Sequence, residues 1–421
     1  MRSRLLLHIT SVSLLLLGLA GCSSNAEERR RDVNKESGAI DLSRYQPPRA
    51  LDQYVSRLVA DGRDWQQHGV YIESLQDPRP IAILNESNEF NPASVLKLAT
   101  SLAALHKLGS EHRFRTEFRA DGEIRSGQLK GDLILVSGGD PAFSISDAKR
   151  VGEAIRQFGV RQVNGQLLVI GDFTCNENSS TAVSARVFAR HTGISFKRPP
   201  QFITVDQYQP RGQQIVTVES DSLLKIVQYL NSFSVNSMAE TLALHIGGPT
   251  GVERFLIEEI GMPRESVFIS HASGLDINRL TPRDTVRLLR SLMDWLDRHK
   301  LHPSAVMPVA GRDAGTLRER FAEENLAGSV VAKTGTLYST DSGVAALAGI
   351  VYTRKYGPLL FAIYDMAEGR RFDQLRRLQD QFLKELIEEC GGPSPVISTN
   401  SRQLGLTMES LIRLFNGEVV G

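Results

Sequence analysis

The spacing of apolar and polar positions divides the chain into stretches of different period. Leu51, Tyr54 and Leu58 recur at helical spacing, and Val70-Tyr71-Ile72 and Ile81-Ala82-Ile83-Leu84 are short strand-like runs. The next stretch has no polar face. Pro92 stands where a helix can begin, because its missing N–H is harmless in a first turn. From Ala93 to Leu105 apolar residues then fall on every side, the pattern of a buried helix. Lys97 is the only ionisable residue in that span, and it lies on the same face as Ser94, three positions earlier. The helix is expected to stop near Gly109.

Beyond His112 the texture changes. Phe114–Phe118, Leu133–Val136 and Leu167–Ile170 read as short strands, with a helix near Ala148–Phe158 and a turn at Gly138-Gly139-Asp140-Pro141. Residues 113–212 therefore read as a subdomain inserted into a domain made of 51–112 and 213–392. A helical pattern resumes at Leu223 and runs through Ser234-Val235-Asn236 to Leu242, with more helix through Leu288 and Leu296. Val330–Leu337, Val344–Tyr352 and Leu359–Tyr364, joined by short turns, predict an antiparallel meander. Phe372, Leu375, Leu378, Phe382 and Leu386 mark an amphipathic helix. The tail, 393–421, is rich in Ser, Pro and Gly; a short helix around Leu411–Phe415 is expected there, and nothing in the tail suggests a function.

With 421 residues, 41% of them hydrophobic, the chain can form one or two ordinary cores, and a net charge of +1 gives no reason to expect a nucleic-acid partner. The first residues change the picture more. Arg2 and Arg4 precede an apolar run, Leu5–Ala20, that is short for a membrane span and ends in Leu19-Ala20-Gly21-Cys22. That ending resembles a bacterial lipobox. It implies a signal peptide over 1–21, a lipidated Cys22 and tethering to a membrane by acyl chains; the alternative is an ordinary export signal with an incidental cysteine. The charge run Ala26–Asp32 and the stiff Pro47-Pro48 make 22–50 a flexible tether. Ser23 after Cys22 is not the aspartate that signals inner-membrane retention in enteric-type lipoproteins, so a periplasm-facing, outer-membrane location is expected. Cys175 and Cys390 can be a disulfide or two free thiols. His299 and His302 have no patterned third ligand, and no metal or cofactor is expected.

Three short motifs carry the candidate chemistry: Ser94-x-x-Lys97, Ser234-x-Asn236 and Lys333-Thr334-Gly335. The first spacing recurs at Ser146/Lys149 and Ser222/Lys225, and the second at Ser398/Asn400. Only Ser94 opens a buried helix; Ser146 reads as a helix cap. Specificity lies in the order, spacing and context of the three together. Ser94 is the candidate nucleophile. A serine hydroxyl needs a neighbour to take its proton, and Lys97 is the candidate base if burial and a second ammonium, Lys333, keep it neutral.

The triplet is that of the penicillin-recognising serine acyl-transferases. The chain most closely resembles the D-alanyl-D-alanine carboxypeptidase/endopeptidase family of the penicillin-binding protein 4 type. The likeness extends through Ser137-Gly138-Gly139-Asp140-Pro141, Asn236–Leu242, Gly311-Arg312-Asp313-Ala314-Gly315-Thr316-Leu317 and Lys333–Leu337, and runs from about residue 50 to 390. The resemblance implies an α+β fold, an antiparallel sheet flanked by helices on both faces, with one inserted α/β subdomain. It implies a cell-wall D-alanyl-D-alanine carboxypeptidase, also able to act as an endopeptidase, that cleaves peptidoglycan stem peptides ending in D-Ala-D-Ala and is acylated by β-lactam antibiotics. A β-lactamase of the same fold and a catalytically silent peptidoglycan-binding lipoprotein are the alternatives. By the same resemblance Ser234 relays a proton to the leaving amine, and Asn236 holds a substrate amide. Lys333, Thr334 and Thr336 grip the terminal carboxylate, the N–H groups of Ser94 and Thr336 form the oxyanion hole, and Gly335 leaves room for substrate along the strand edge. Val235 stands where the family usually has aspartate, and His271-Ala272-Ser273-Gly274-Leu275 where it usually has Asp-Gly-Ser-Gly-Leu. Glu240 reads as structural, a partner for a base in the fold, Asp140 as a turn former, and His271 as a polar loop residue.

Overall fold

The computed structural model describes residues 45–367, 371–396, 410–414 and 419–420. The expected signal peptide, Cys22 and most of the tether lie outside the described residues.

A five-stranded antiparallel sheet organises the catalytic half. Its order is Val330–Leu337, Val344–Thr353, Gly357–Met366, His68–Ser74, Pro80–Leu84. The three later strands form the expected meander, and the first two add to its far side. The two helices that bracket the domain in sequence, Arg49–Ala60 and Phe372–Glu389, cover one face. There Tyr54, Leu58, Val70, Ile72, Phe361, Ile363, Phe382 and Leu386 are all fully buried. The helix Pro282–Arg298 covers the other face, where the Thr285 and Tyr364 hydroxyls lie 2.6 Å apart. A sheet packed on both faces needs apolar residues on both, which is why Val344–Tyr352 is nearly unbroken in hydrophobicity. The strand with Lys333 lies at the sheet edge. Val309 bridges Val331 near its start, and the side from Lys333 onward has no strand partner among the described residues.

The buried helix begins differently from the expectation. Ala93–Leu96 is a 3-10 turn, and the α-helix proper is Lys97–Leu108, stopped by Gly109 at φ 87°. Every residue from Lys97 to Leu105 is buried. The helical pattern across 223–242 is also interrupted. Ser234 adopts a left-handed conformation (φ 61°) and splits it into Leu223–Phe233 and Asn236–Leu244. Hydrophobic spacing could not show this break, because both halves keep their apolar faces.

The insert is a mixed sheet with the helices Ile145–Gln157 and Thr181–His191 packed on a core that includes Phe118, Leu133, Val151, Phe188 and Val216. It is pinned at its root, where Phe114 N–H donates to Ser220 Oγ and Ser220 N–H to Phe114 O, both at 2.9 Å. Its sheet includes Gln213–Glu219, paired with Arg115–Arg125, so the insert runs past residue 212. The tail supplies a further correction. Leu411–Leu414 is a strand, not a helix, and pairs with Gln213–Glu219. Ile412 and Leu414 are buried while Arg413 is exposed, a period of two that favours a strand over a helix. Ser146 lies inside its helix; the cap is Ser144, in a reciprocal capping box with Asp147. Cys175 and Cys390 are free, buried in separate cores, and burial pushes their thiols up to about 12 and about 11.

Candidate active site

Ser94 sits in the 3-10 turn, and Lys97 is the first residue of the α-helix behind it. The Lys97 ammonium nitrogen is 2.9 Å from Ser94 Oγ, 2.6 Å from Asn236 Oδ1 and 2.7 Å from the carbonyl oxygen of Ser273. Its side chain is fully buried. A lysine here cannot reach water, and its ammonium contacts are the three oxygens just named. Burial is the main reason its pKa falls to about 7; the more distant Glu240 carboxylate pulls the other way. A lysine held near 7 is neutral often enough to take a proton from Ser94.

Lys333 is the counterpart. It is also fully buried, and its Nζ donates to Ser234 Oγ at 2.8 Å and to Thr334 O at 2.9 Å. Burial depresses its pKa well below the ordinary range, and repulsion from Lys97 lowers it further. Burial is the largest cause of the lowering at both lysines, as expected from the sequence for Lys97. With Ser234 left-handed, its hydroxyl meets Lys333 while Asn236, two residues on, meets Lys97.

The middle motif opens the helix Asn236–Leu244. Val235 is its N-cap and caps nothing through its side chain. An aspartate at this position could accept from the first-turn N–H groups; valine cannot. One turn on, Glu240 accepts the Ser273 N–H at 2.9 Å, which steadies the carbonyl that Lys97 uses. The insert packs against the same helix. His245 Nε2 is 3.0 Å from Gly139 O, and the Thr174 and Thr241 hydroxyls are 3.1 Å apart. Asp140 does act as a turn former, accepting from Ala142 N–H at 2.8 Å, and burial raises its carboxyl pKa to about 7.

On the edge strand, Thr334 Oγ1 donates to Thr316 Oγ1 at 2.9 Å, and Arg376 Nη2 donates to Thr336 Oγ1 at 2.9 Å. Gly335 also lies close to the nucleophile turn. A Cβ there would lie 2.8 Å from Pro92 O and 3.0 Å from Ala93 Cβ. It would strike that turn. A cleft of about 620 Å³ runs past Ser234, Asn236, Glu240, His271 and Leu275, and Glu177 and Ser179 of the insert line its other wall.

Of the expected site residues, Ser234 and Asn236 line this cleft, and hydrogen bonds join them to Lys333 and to Lys97 with Ser94; Cys22 lies outside the described residues. Thr316, Arg376 and the insert loop at Glu177 were not singled out from the sequence. Thr316 lies in a stretch quoted only for family likeness. Arg376 is one of several arginines on an amphipathic helix, and nothing in its spacing distinguishes it.

A serine beside a buried lysine, a second lysine on a relay serine and an open strand edge define a serine-nucleophile, acyl-transferring hydrolase. The profile of the D-Ala-D-Ala carboxypeptidase 3 (S13) family matches residues 51–182 and 186–386. A D-alanyl-D-alanine carboxypeptidase from Actinomadura sp. (strain R39) is 43% identical over 72% of this chain and 78% of its own length. A carboxypeptidase from Mycobacterium tuberculosis is 25% identical over 66% of this chain and 71% of its own. Among solved structures, a predatory endopeptidase from Bdellovibrio bacteriovorus has a TM-score of 0.68 at 19% identity, covering 79% of this chain and 95% of that one. Penicillin binding protein 4 from Haemophilus influenzae has a TM-score of 0.62 at 19% identity, covering 77% and 96%. At that identity these two show the fold. The chain belongs to the D-Ala-D-Ala carboxypeptidase 3 (S13) family and is a serine-type carboxypeptidase.

Proposed function

We propose that Ser94, Lys97 and Ser234 carry the chemistry on peptidoglycan stem peptides ending in D-Ala-D-Ala. Ser94 Oγ attacks the carbonyl carbon of the penultimate residue as its proton passes to Lys97 Nζ. The peptide C–N bond then breaks, and the leaving amine of the terminal D-Ala takes a proton relayed through Ser234. Water cleaves the resulting ester and regenerates the serine. Asn236 positions a substrate amide, and the N–H groups of Ser94 and Thr336 hold the developing oxyanion. Lys333, Thr334 and Thr336 receive the terminal carboxylate. The observation that carries this reading is the position of Lys97 Nζ, 2.9 Å from Ser94 Oγ and stripped of water.

The same mechanism, with a cross-linked peptide in place of the terminal D-Ala, gives endopeptidase action, and the open cleft has room for it. The chain is exported, cut before Cys22 and held by lipid on that cysteine at the periplasmic side of the outer membrane. Support for this location is the lipobox-like ending and Ser23 after it.

A gel with labelled penicillin on wild type and Ser94→Ala tests the acyl-enzyme. Stable label in wild type and none in the variant is the expected result. Rapid turnover of the drug would favour a β-lactamase, and an unlabelled, folded wild type would make the chain catalytically silent. Metabolic labelling with a palmitate analogue, lost in Cys22→Ala, tests the anchor.

A further inference from the structure

The peptide joining Ala93 to Ser94 is held more tightly than a nucleophile turn requires. Ala93 has φ 47°, a left-handed conformation that a residue with a side chain rarely adopts, immediately before Ser94. Two glycines press on it. A Cβ on Gly274 would sit 1.9 Å from Ala93 O, and one on Gly335 would sit 2.8 Å from Pro92 O. The strained conformation is fixed by Asn91, whose side chain is almost fully buried. Asn91 Oδ1 accepts the Ala93 N–H at 3.1 Å, and Nδ2 donates to Asp276 O and to Asp341 Oδ2, each at 2.8 Å. Asp341 is itself left-handed (φ 53°) and is gripped by both terminal nitrogens of Arg279, at 2.9 and 3.1 Å. These contacts hold its carboxyl below the usual carboxylate range despite partial burial.

Asn91 lies three residues before Ser94, and Asp341 lies five residues after Thr336. One hydrogen bond between side chains therefore ties the segment carrying the Ser94 N–H to the segment carrying the Thr336 N–H. We propose that Asn91, Asp341 and Arg279 form a clamp that sets the spacing of these two N–H groups, and so positions the oxyanion hole. The proposal rests on reading those two N–H groups as the hole. The clamp touches neither the substrate nor the Ser94 hydroxyl, so its residues are positioning residues. Their loss should weaken what forms in the transition state and leave substrate binding in place.

The test uses the full chain as wild type, Asn91→Ala, Asp341→Ala, the double variant and Asp341→Asn. Three quantities are read: kcat and KM on a D-Ala-D-Ala peptide, the acylation rate with labelled penicillin, and affinity for a peptide boronic acid. In the boronate adduct Ser94 Oγ forms a bond to boron while its proton passes to Lys97, and one boron-bound oxygen occupies the hole. The alanine variants should lose about 10- to 100-fold in kcat and in boronate affinity, with KM within about 3-fold of wild type. The double variant should be no worse than Asn91→Ala alone, because Asn91→Ala already breaks the bridge to Asp341. Asp341→Asn keeps an oxygen for Asn91 and Arg279 and should recover most of the rate. Unchanged boronate affinity, a loss carried by KM, or additive losses in the double variant would each overturn the clamp. Ser94→Ala is the control for the underlying reading. If it still acquires label, that reading fails; if it does not and the clamp variants react at wild-type rates, only the clamp fails.

Discussion

Two buried polar clusters lie in the catalytic half, and their difference shows what makes one of them reactive. In the first, Lys97 and Lys333 are fully buried among hydroxyls, one amide and backbone carbonyls, with the cleft beside them. In the second, Asp365 is fully buried in the middle of the sheet. It accepts from the Tyr54 hydroxyl, lies 2.6 Å from His68 Nδ1 and accepts from Gln379 Nε2 at 2.7 Å. Burial is equal, so burial alone does not mark a functional group. The Asp365 cluster pairs an acceptor of charge with donors around it and is sealed by the bracketing helices. It joins the first long strand, the last strand and both helices, which makes it a fastening. The lysine cluster pairs two groups of like charge, neither of which has a carboxylate at contact distance among the described residues. Such a pair cannot hold two protons comfortably in a low-dielectric site. One proton position is left open beside the Ser94 hydroxyl, 2.9 Å from Lys97 Nζ, and that is what a nucleophile needs.

The sharpest way to break this contrast is to change one member of each cluster. Lys97→Arg keeps the size and charge but cannot give up its proton near neutral pH. Acylation by labelled penicillin should fall by about 10³-fold or more, with the fold intact by circular dichroism. Asp365→Ala should do the opposite. Removing the carboxylate leaves the buried Tyr54 hydroxyl, His68 Nδ1 and Gln379 Nε2 without it, at a cost of about 1–3 kcal/mol for each group left unsatisfied, visible in denaturant unfolding, while the molecules that remain folded should acylate at close to the wild-type rate. Full acylation by Lys97→Arg would remove the base from Lys97. Loss of chemistry without loss of stability in Asp365→Ala would move the second cluster into the active site.

The pH dependence separates the clusters further. Acylation needs neutral Lys97, so its rate should rise with pH and reach half its plateau near 7. The same group makes stability rise with pH. Lys97 has a folded value of about 7 and an unfolded value of about 10.4, so between them the unfolded chain binds the extra proton. Stability should therefore increase across that window, by up to about 5 kcal/mol in a lysine-specific part. Comparing unfolding curves of wild type and Lys97→Met at several pH values isolates that part. Parallel curves would mean that Lys97 is charged in the folded protein and that the site works by some other base.

Much of this was legible in the sequence, and what was not has physical causes. The one lysine in an apolar helix announced itself because hydrophobic patterning leaves a polar intruder unexplained. The meander was legible because its strands are apolar on both faces and its turns are short. The Asp365 cluster was not, because Tyr54, His68 and Asp365 are each unremarkable in their own segments and meet only through strand pairing. Ser234 as a break was hidden because a left-handed residue leaves no trace in hydrophobic period. The strand Leu411–Leu414 was taken for a helix because four residues carry too little pattern to separate the two, and its partner lies almost 200 residues earlier. The closeness of Gly335 to the nucleophile turn was not legible, because Pro92 and Ala93 lie more than 200 residues earlier. Sequence spacing identifies which residues are unusual, but not which neighbour makes them so.

The smallest expected effect comes from giving the lysine cluster what the Asp365 cluster has. Val235 is the N-cap of the helix Asn236–Leu244 and makes no capping bond through its side chain. Val235→Asp supplies an acceptor for the first-turn N–H groups, which is worth about 1 kcal/mol when the cap forms. The same substitution brings a carboxylate between Ser234 and Asn236, the residues that contact Lys333 and Lys97. A nearby negative charge favours the protonated amine, so the midpoint of the acylation profile should move above its wild-type position near 7, with the plateau rate at high pH little changed. Stabilisation with an upward shift would show that valine here trades a cap for a lysine that loses its proton more readily. A downward shift, or a lower plateau at high pH, would mean that position 235 acts on substrate and not on the charge of the cluster.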